Sequence, residues 1–225
     1  MMSGLRFDTY DWTGGREAML RFGPDTGPIV IAALPLFEEA NRTRQFACTI
    51  LRALVGHGIA SVLPDFPGTG ESEVATVEAR LSDQRRAYTD LSQHLGTRSY
   101  ALSIRSGALL DVDADVAGRW HLAPQTGGNL VRDLERTRAT GKSARAPEGE
   151  YAGNHVSLDM LDELRGATPR DDGRYRVVRL DTDPRPSDAT YAGAPLWRRS
   201  EPDNDVVLAQ HLADDISYWI ASCEG

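Results

Sequence analysis

The stretch Ser103-Ile104-Arg105-Ser106-Gly107 has the spacing of a nucleophile elbow. In such a turn a strand passes sharply into a helix, small residues two positions either side allow close packing, and the middle residue is exposed at the tip. Acyl transfer at such a tip needs a hydroxyl or thiol, a base within hydrogen-bond reach, and an acid that orients the base. Here the tip is Arg105. A guanidinium stays protonated and carries no usable lone pair, so it cannot attack a carbonyl carbon. Ser103 and Ser106 flank it. Ser103 takes a place usually held by glycine and is expected to pack beneath the turn. Ser106 is expected at the start of a helix, offering its backbone N–H to an anion. Either serine is also a candidate displaced nucleophile.

The remaining partners of such chemistry are sparse. The loop 200–205 (SEPDND), after the stretch expected to be the last strand, contains no histidine. His57 and His94 precede helix-stopping glycines, His121 falls in a strand, His155 in a later insertion and His211 well inside the final helix. No two of them are spaced like metal ligands, so no metal and no cofactor are expected. Asp181 and Asp183 follow a strand where an orienting acid would sit, but they have no imidazole to orient. Glu38 and Glu39 lie in the loop expected to face Arg105. One reading closes Arg105 into an ion pair with either glutamate. Another has Arg105 and the N–H groups of Phe37 and Ser106 grip a carboxylate or phosphate, for which arginine's planar fork is suited. A third makes Glu38 or Glu39 a general base on water, although a neighbouring arginine would lower its pKa.

Apolar strand-like runs alternate with helix-like stretches, the pattern of an α/β fold. Residues 5–11 and 17–22 read as an edge hairpin around Gly14-Gly15. Residues 28–34 (PIVIAAL), 59–63 and 99–104 read as strands covered on both faces. Further strands are expected at 120–122, 175–180 and 195–199. Helices are expected at 41–57, 77–95, 106–116, 130–138, 158–164 and 206–220, with Ser157 as an N-cap. A short hairpin arm is expected at 150–156, after a flexible connection at 142–149. The whole chain, 1–225, reads as a single domain in which about 125–166 is a cap-like insertion.

The motifs PLFEEANRTR (35–44), LPDFPGTGES (63–72) and SIRSGALL (103–110) follow successive strands in the order found in α/β-hydrolases. This resemblance implies a mostly parallel central sheet flanked by helices, with an oxyanion-hole loop near Phe37. Together with WHLAPQTGGNLVRDLERTR (120–138), YAGNHVSLDMLDELR (151–165) and GAPLWRRSEP (193–202), the chain resembles exosortase A system-associated hydrolases, nearest the type 2 branch, over roughly 28–215. The resemblance implies a setting in exopolysaccharide production and exosortase-linked surface-protein sorting.

Composition narrows the partners. With 25 basic and 33 acidic residues the formal charge is −8, and no Lys/Arg run offers a nucleic-acid surface. The start MMSGLRFD lacks a signal-peptide core, and no apolar run reaches membrane-spanning length. Cys48 and Cys223 are isolated thiols, expected as small buried hydrophobes, so a cytoplasmic setting is expected. The reading is of a degenerate hydrolase that binds a small anionic or acyl ligand. The alternatives are an ester or thioester hydrolase working through Ser103 or Ser106, and a protein-binding scaffold. Homodimerisation is left open.

Overall fold

The computed structural model describes residues 5–96, 98–140, 149–151 and 153–225. Its elements are β1 (Arg6–Trp12), β2 (Gly15–Phe22), β3 (Ile29–Ala33), α1 (Glu38–Gly56), β4 (Ala60–Pro64), α2 (Leu81–Leu95), β5 (Ser99–Ile104), β6 (Gly118–Leu122), α3 (Gly127–Thr140), β7 (Glu150–Tyr151), β8 (Asn154–His155), α4 (Leu158–Arg165), β9 (Tyr175–Leu180), β10 (Ala189–Tyr191) and α5 (Val206–Glu224). Eight strands form one sheet in the order β1-β2-β4-β3-β5-β6-β9-β10. The β1–β2 hairpin and the β2–β4 pair are antiparallel, and all the other pairs in this sheet are parallel.

Alternation along the strands divides the core between the sheet's two faces. Ile29, Ile31 and Ala33 of β3 join Tyr88 and Leu91 of α2, Leu130 and Leu134 of α3, and Leu161 and Leu164 of α4 on one face. Val30 and Ala32 join Phe46, Ile50, Leu51 and Leu54 of α1 and Leu212, Ile216 and Ile220 of α5 on the other. The α1 set repeats at helical spacing, and each such side chain contributes about 1.5–3 kcal/mol by burial. The parallel strands therefore all run their C-terminal ends to one edge, where loops after β3, β5, β6 and β9 meet.

The insertion shares the first of these cores. Tyr151 and Val156, both in the expected hairpin arm, and Met160 of α4 are all buried there. Ser157 caps α4, its Oγ accepting from the N–H of Met160 at 3.1 Å. The connection expected at 142–149 lies, apart from Gly149, outside the described residues.

Three expectations are corrected. The last strand is Ala189–Tyr191, and Leu196–Arg198 is a 3-10 turn instead. Pro195 lacks an N–H for a ladder, and its carbonyl accepts from the N–H of Arg198 at 2.9 Å, which closes the chain into a turn with Leu196 and Trp197 buried. The helix expected at 106–116 is only a 3-10 turn, Arg105–Leu109. Asp111, Asp113 and Asp115 would crowd the negative end of a longer helix, and Asp111 is drawn fully into the core. Finally, α2 begins at Leu81, because Arg80 is extended.

Candidate functional site

Among the described residues, three that are not glycine have a positive φ: Phe37 (60°), Arg105 (56°) and Ala123 (48°). All three lie just beyond central strands, after β3, β5 and β6 at the edge where the loops meet. Left-handed backbone at such residues costs on the order of 1–3 kcal/mol each and gathers where a site demands it. The turn at Arg105 also needs Gly107. A Cβ there would lie 2.4 Å from the Ala33 carbonyl oxygen and 2.6 Å from that of Leu34, so the elbow is pressed against the end of β3. Ser106 fastens the same contact. Its buried Oγ accepts from the N–H of Leu36 at 2.9 Å.

Arg105 is only 5 % exposed. Its Nε and Nη2 donate to Glu39 at 3.2 and 3.3 Å, and its guanidinium carbon lies 5.2 Å from the centroid of the Trp197 ring. Nη1 has no partner among the described residues. Glu38 instead lies 3.8 Å from Arg42 on its own helix and accepts weakly from Asn41 at 3.4 Å. Of the two glutamates, Glu39 is thus the counter-ion.

Beneath the elbow lies a fully buried cluster. Asp111 accepts from Ser103 Oγ at 2.5 Å, lies 2.9 Å from His121 Nε2, and lies 3.3 Å from Arg119 Nε. A carboxylate accepts only, so His121 presents a proton at Nε2. Its Nδ1 is buried without a hydrogen-bond partner among the described residues. A serine, a histidine and an aspartate thus meet here with the carboxylate in the middle. Catalysis needs the imidazole in the middle, with the hydroxyl open to substrate. Ser103, Asp111 and His121 are each 0 % exposed.

Arg105 lies in the lining of a cleft of about 590 Å³, with walls from the loop after β6, from α3, from the loop after β9 and from the 3-10 turn at 196–198. Of the residues expected to bind ligand, only Arg105 lines it; Phe37, Glu38, Glu39 and Ser106 do not. Phe37 faces a separate cavity of about 170 Å³ with Gln84 and Met160. Of the two aspartates after β9, Asp181 is exposed and outside the cleft. Asp183 lines it, accepting from Arg185 at 2.7 Å and Arg179 at 2.9 Å. Those bonds, Arg185's foremost, hold its carboxyl well below the usual carboxylate range.

The cleft's remaining charges were not singled out in the sequence. Arg132 and Arg136 of α3, Arg185 and Arg198 join Arg105, against Asp133 and Asp183. Asp133 is engaged by Arg136 at 2.6 Å, whereas Arg198 has no side-chain partner among the described residues. Arg132 and Arg136, four apart on one helix face, were the available signal. Gln125 also lines the cleft; its backbone N–H donates to the Arg105 carbonyl at 3.3 Å. Among the described residues no group of three or more His, Cys, Asp or Glu is placed to hold a metal ion. No described helix is long and apolar enough to cross a membrane.

No protein-family model matches the chain, and no curated protein matches it. Solved structures do. Epoxide hydrolase A from Mycobacterium thermoresistibile aligns over 96 % of this chain and 98 % of its own, with TM-score 0.61 at 14 % identity. A thermophilic esterase from Thermogutta terrifontis, with malate bound, aligns over 99 % and 100 %, with TM-score 0.60 at 13 % identity. The thioesterase domain from the curacin biosynthetic pathway aligns over 97 % and 99 %, with TM-score 0.58 at 13 % identity. The chain has the α/β-hydrolase fold, with a mostly parallel central sheet flanked by helices.

Proposed function

We propose that this chain uses the α/β-hydrolase scaffold to bind a small anionic ligand and does not carry out serine hydrolysis. The observation that carries the reading is Arg105, a permanent cation at the tip of the elbow, with Nη1 uncommitted among the described residues and four further arginines around the same cleft. A ligand carboxylate or phosphate would take up Nη1 and compete with Glu39 for the other two donors. The cleft's volume suits a small metabolite. Its position beyond the strands' C-terminal ends is where open α/β sheets hold ligands. The likeness of the loop motifs to exosortase A system-associated hydrolases supports a place for that ligand in exopolysaccharide production.

Thermal-shift measurements with inorganic phosphate, citrate and a panel of carboxylate metabolites test the reading. At least one anion is expected to raise the melting temperature of the wild type and not that of Arg105→Ala. A fluorophosphonate probe is expected to leave the protein unlabelled, and p-nitrophenyl acetate uncleaved. Labelling or turnover that disappears in Ser103→Ala or Ser106→Ala would establish the displaced-nucleophile hydrolase instead. Silence toward every anion, with a protein partner co-purifying, would favour the scaffold reading.

A further inference from the structure

The central sheet ends on two unlike edges. β10 is three residues long, and its brevity protects it. β1 is seven residues long, and among the described residues no strand pairs with its outer side. The hairpin fixes which backbone groups of β1 face outward. Thr9 stands opposite Ala18, whose carbonyl is turned away from β1 to accept from the Asp65 N–H at 2.9 Å. Thr9 and Ala18 therefore exchange no hydrogen bonds, and by alternation neither do Phe7 and Leu20. The N–H and C=O groups of Phe7 and Thr9 thus point off the edge of the sheet. The Thr9 N–H is met there by the neighbouring Asp8 Oδ1 at 2.8 Å. Phe7 is also 84 % exposed, and Leu5, two residues before it, is 46 % exposed.

We propose that β1 is a dimerisation edge, to which a second copy of this chain adds its own β1, antiparallel about a two-fold axis through Phe7. Charge selects that register. With Phe7 opposite Phe7, Arg6 of each copy stands opposite Asp8 of the other, and Leu5 stands opposite Thr9. An axis through Arg6 or through Asp8 would instead set like charges face to face, which destabilises a strand pair. An axis through Thr9 would set Phe7 against Asp11 and Arg6 against Trp12, losing both the aromatic pair and the charge matches. Charged residues guard an edge against strands at large, but in the Phe7 register they become two matched pairs. Pairing passes the Thr9 N–H to the Leu5 carbonyl of the second copy and frees the Asp8 carboxylate for its Arg6. Arg6 also meets Asp25 of its own chain, and a guanidinium has donors enough for both carboxylates. The cleft lies off the ends of β5, β6 and β9, well away from β1 in the sheet order, so both copies keep it open. The proposal is thus independent of what the cleft binds.

Sedimentation velocity on the full chain, from about 5 to about 500 µM, tests this. One strand pair is a small, transient contact, so a dimer with Kd on the order of 10–100 µM is expected. Each variant is first checked for the melting temperature of the wild type. Phe7→Ser removes the aromatic pair and Thr9→Pro removes an outward N–H, and each is expected to weaken association about tenfold or more. Arg6→Asp and Asp8→Arg each oppose like charges and are expected to be monomeric alone. Mixed in equal amounts, they oppose unlike charges at both positions, and the mixture is expected to dimerise within about threefold of the wild type. A wild type that stays monomeric across the range would overturn the proposal. So would a dimer indifferent to Phe7→Ser and Thr9→Pro, which would lie on another surface. A dimer sensitive to both, with no rescue on mixing, would overturn the register. A different protein co-purifying through Phe7, with the pure chain monomeric, would assign the edge to that protein and overturn the second copy.

Discussion

Arg105 and Glu39 hold one another in a pair whose side chains are 7 % and 18 % exposed. Such a pair is weak evidence for stability, because desolvation offsets much of the Coulomb attraction. Its functional consequence is sharper: Glu39 occupies two donors that an incoming anion would use. Glu39→Gln should therefore move stability and binding in opposite directions. Removing the counter-charge is expected to lower folding stability by about 1–3 kcal/mol, measured by urea unfolding. The same change is expected to tighten phosphate binding by about tenfold, the equivalent of about 1.4 kcal/mol. Weaker phosphate binding in Glu39→Gln would mean that Glu39 positions Arg105 for the anion and does not compete with it. At this scale the sequence revealed the cation at the tip, because the elbow's spacing is local. It left Glu38 and Glu39 equivalent, since their side chains diverge by about 100° on a helix and only the helix's rotation against β5 distinguishes them. The Ser103–Asp111–His121 cluster was out of reach, because Asp111 reaches its partners only when the chain leaves helical geometry after Leu109.

The elements were legible where their own period carried the signal. The buried strands β3, β4 and β5 and the helices α1 and α5 are continuous or periodic apolar runs, and their buried faces follow from that alone. The last strand and the segment after the elbow were not legible, because tertiary partners decide them. Ala189–Tyr191 is held by β9, with Val177 N–H donating to Asp188 Oδ2 at 2.7 Å. One residue of α5 joins three strands in the same way. Asp215 accepts from Trp120 Nε1 of β6 at 2.7 Å, from Arg176 Nη2 of β9 at 2.7 Å and from Tyr191 OH of β10 at 3.1 Å. Burial alone would raise this carboxyl's pKa, but the bonds from Arg176, Trp120 and Tyr191 together outweigh it and hold the pKa below its ordinary value. A carboxylate with a depressed folded pKa stabilises the native state in full above its unfolded pKa, near 3.9, and loses that contribution as pH falls toward the folded value. Asp215→Asn is accordingly expected to cost about 2–3 kcal/mol at pH 7. The gap from wild type should narrow as pH is lowered below about 4. Urea unfolding at a series of pH values checks this, and a gap independent of pH would show that Asp215 acts through packing and not through its charge.

Across the whole molecule, charge is distributed against its own average. The chain carries a formal −8, yet the cleft at the strands' C-terminal edge is lined by five arginines against two aspartates. An acidic surface repels anions in bulk, so only a cleft with locally reversed sign draws them in, and low-dielectric walls concentrate that field. Composition alone showed the average and hid the reversal, because the arginines come from four separate segments that only the fold brings together. Their contributions differ. Arg105 touches the proposed ligand, whereas Arg198, exposed and without a side-chain partner among the described residues, acts across solvent and is open to screening. The Debye length shortens from about 30 Å at 0.01 M salt to about 8 Å at physiological ionic strength, so a rim charge matters mostly in dilute buffer. Arg198→Gln is thus expected to weaken phosphate binding several-fold at about 0.01 M salt and by less than twofold at about 0.15 M, with the melting temperature unchanged. Arg105→Ala, by contrast, should abolish binding at both. Calorimetric titrations across that range of sodium chloride separate the two behaviours. If Arg198→Gln weakened binding equally at every salt concentration, Arg198 would be a direct ligand contact, and the acidic group would sit at the rim of the cleft instead of at the elbow.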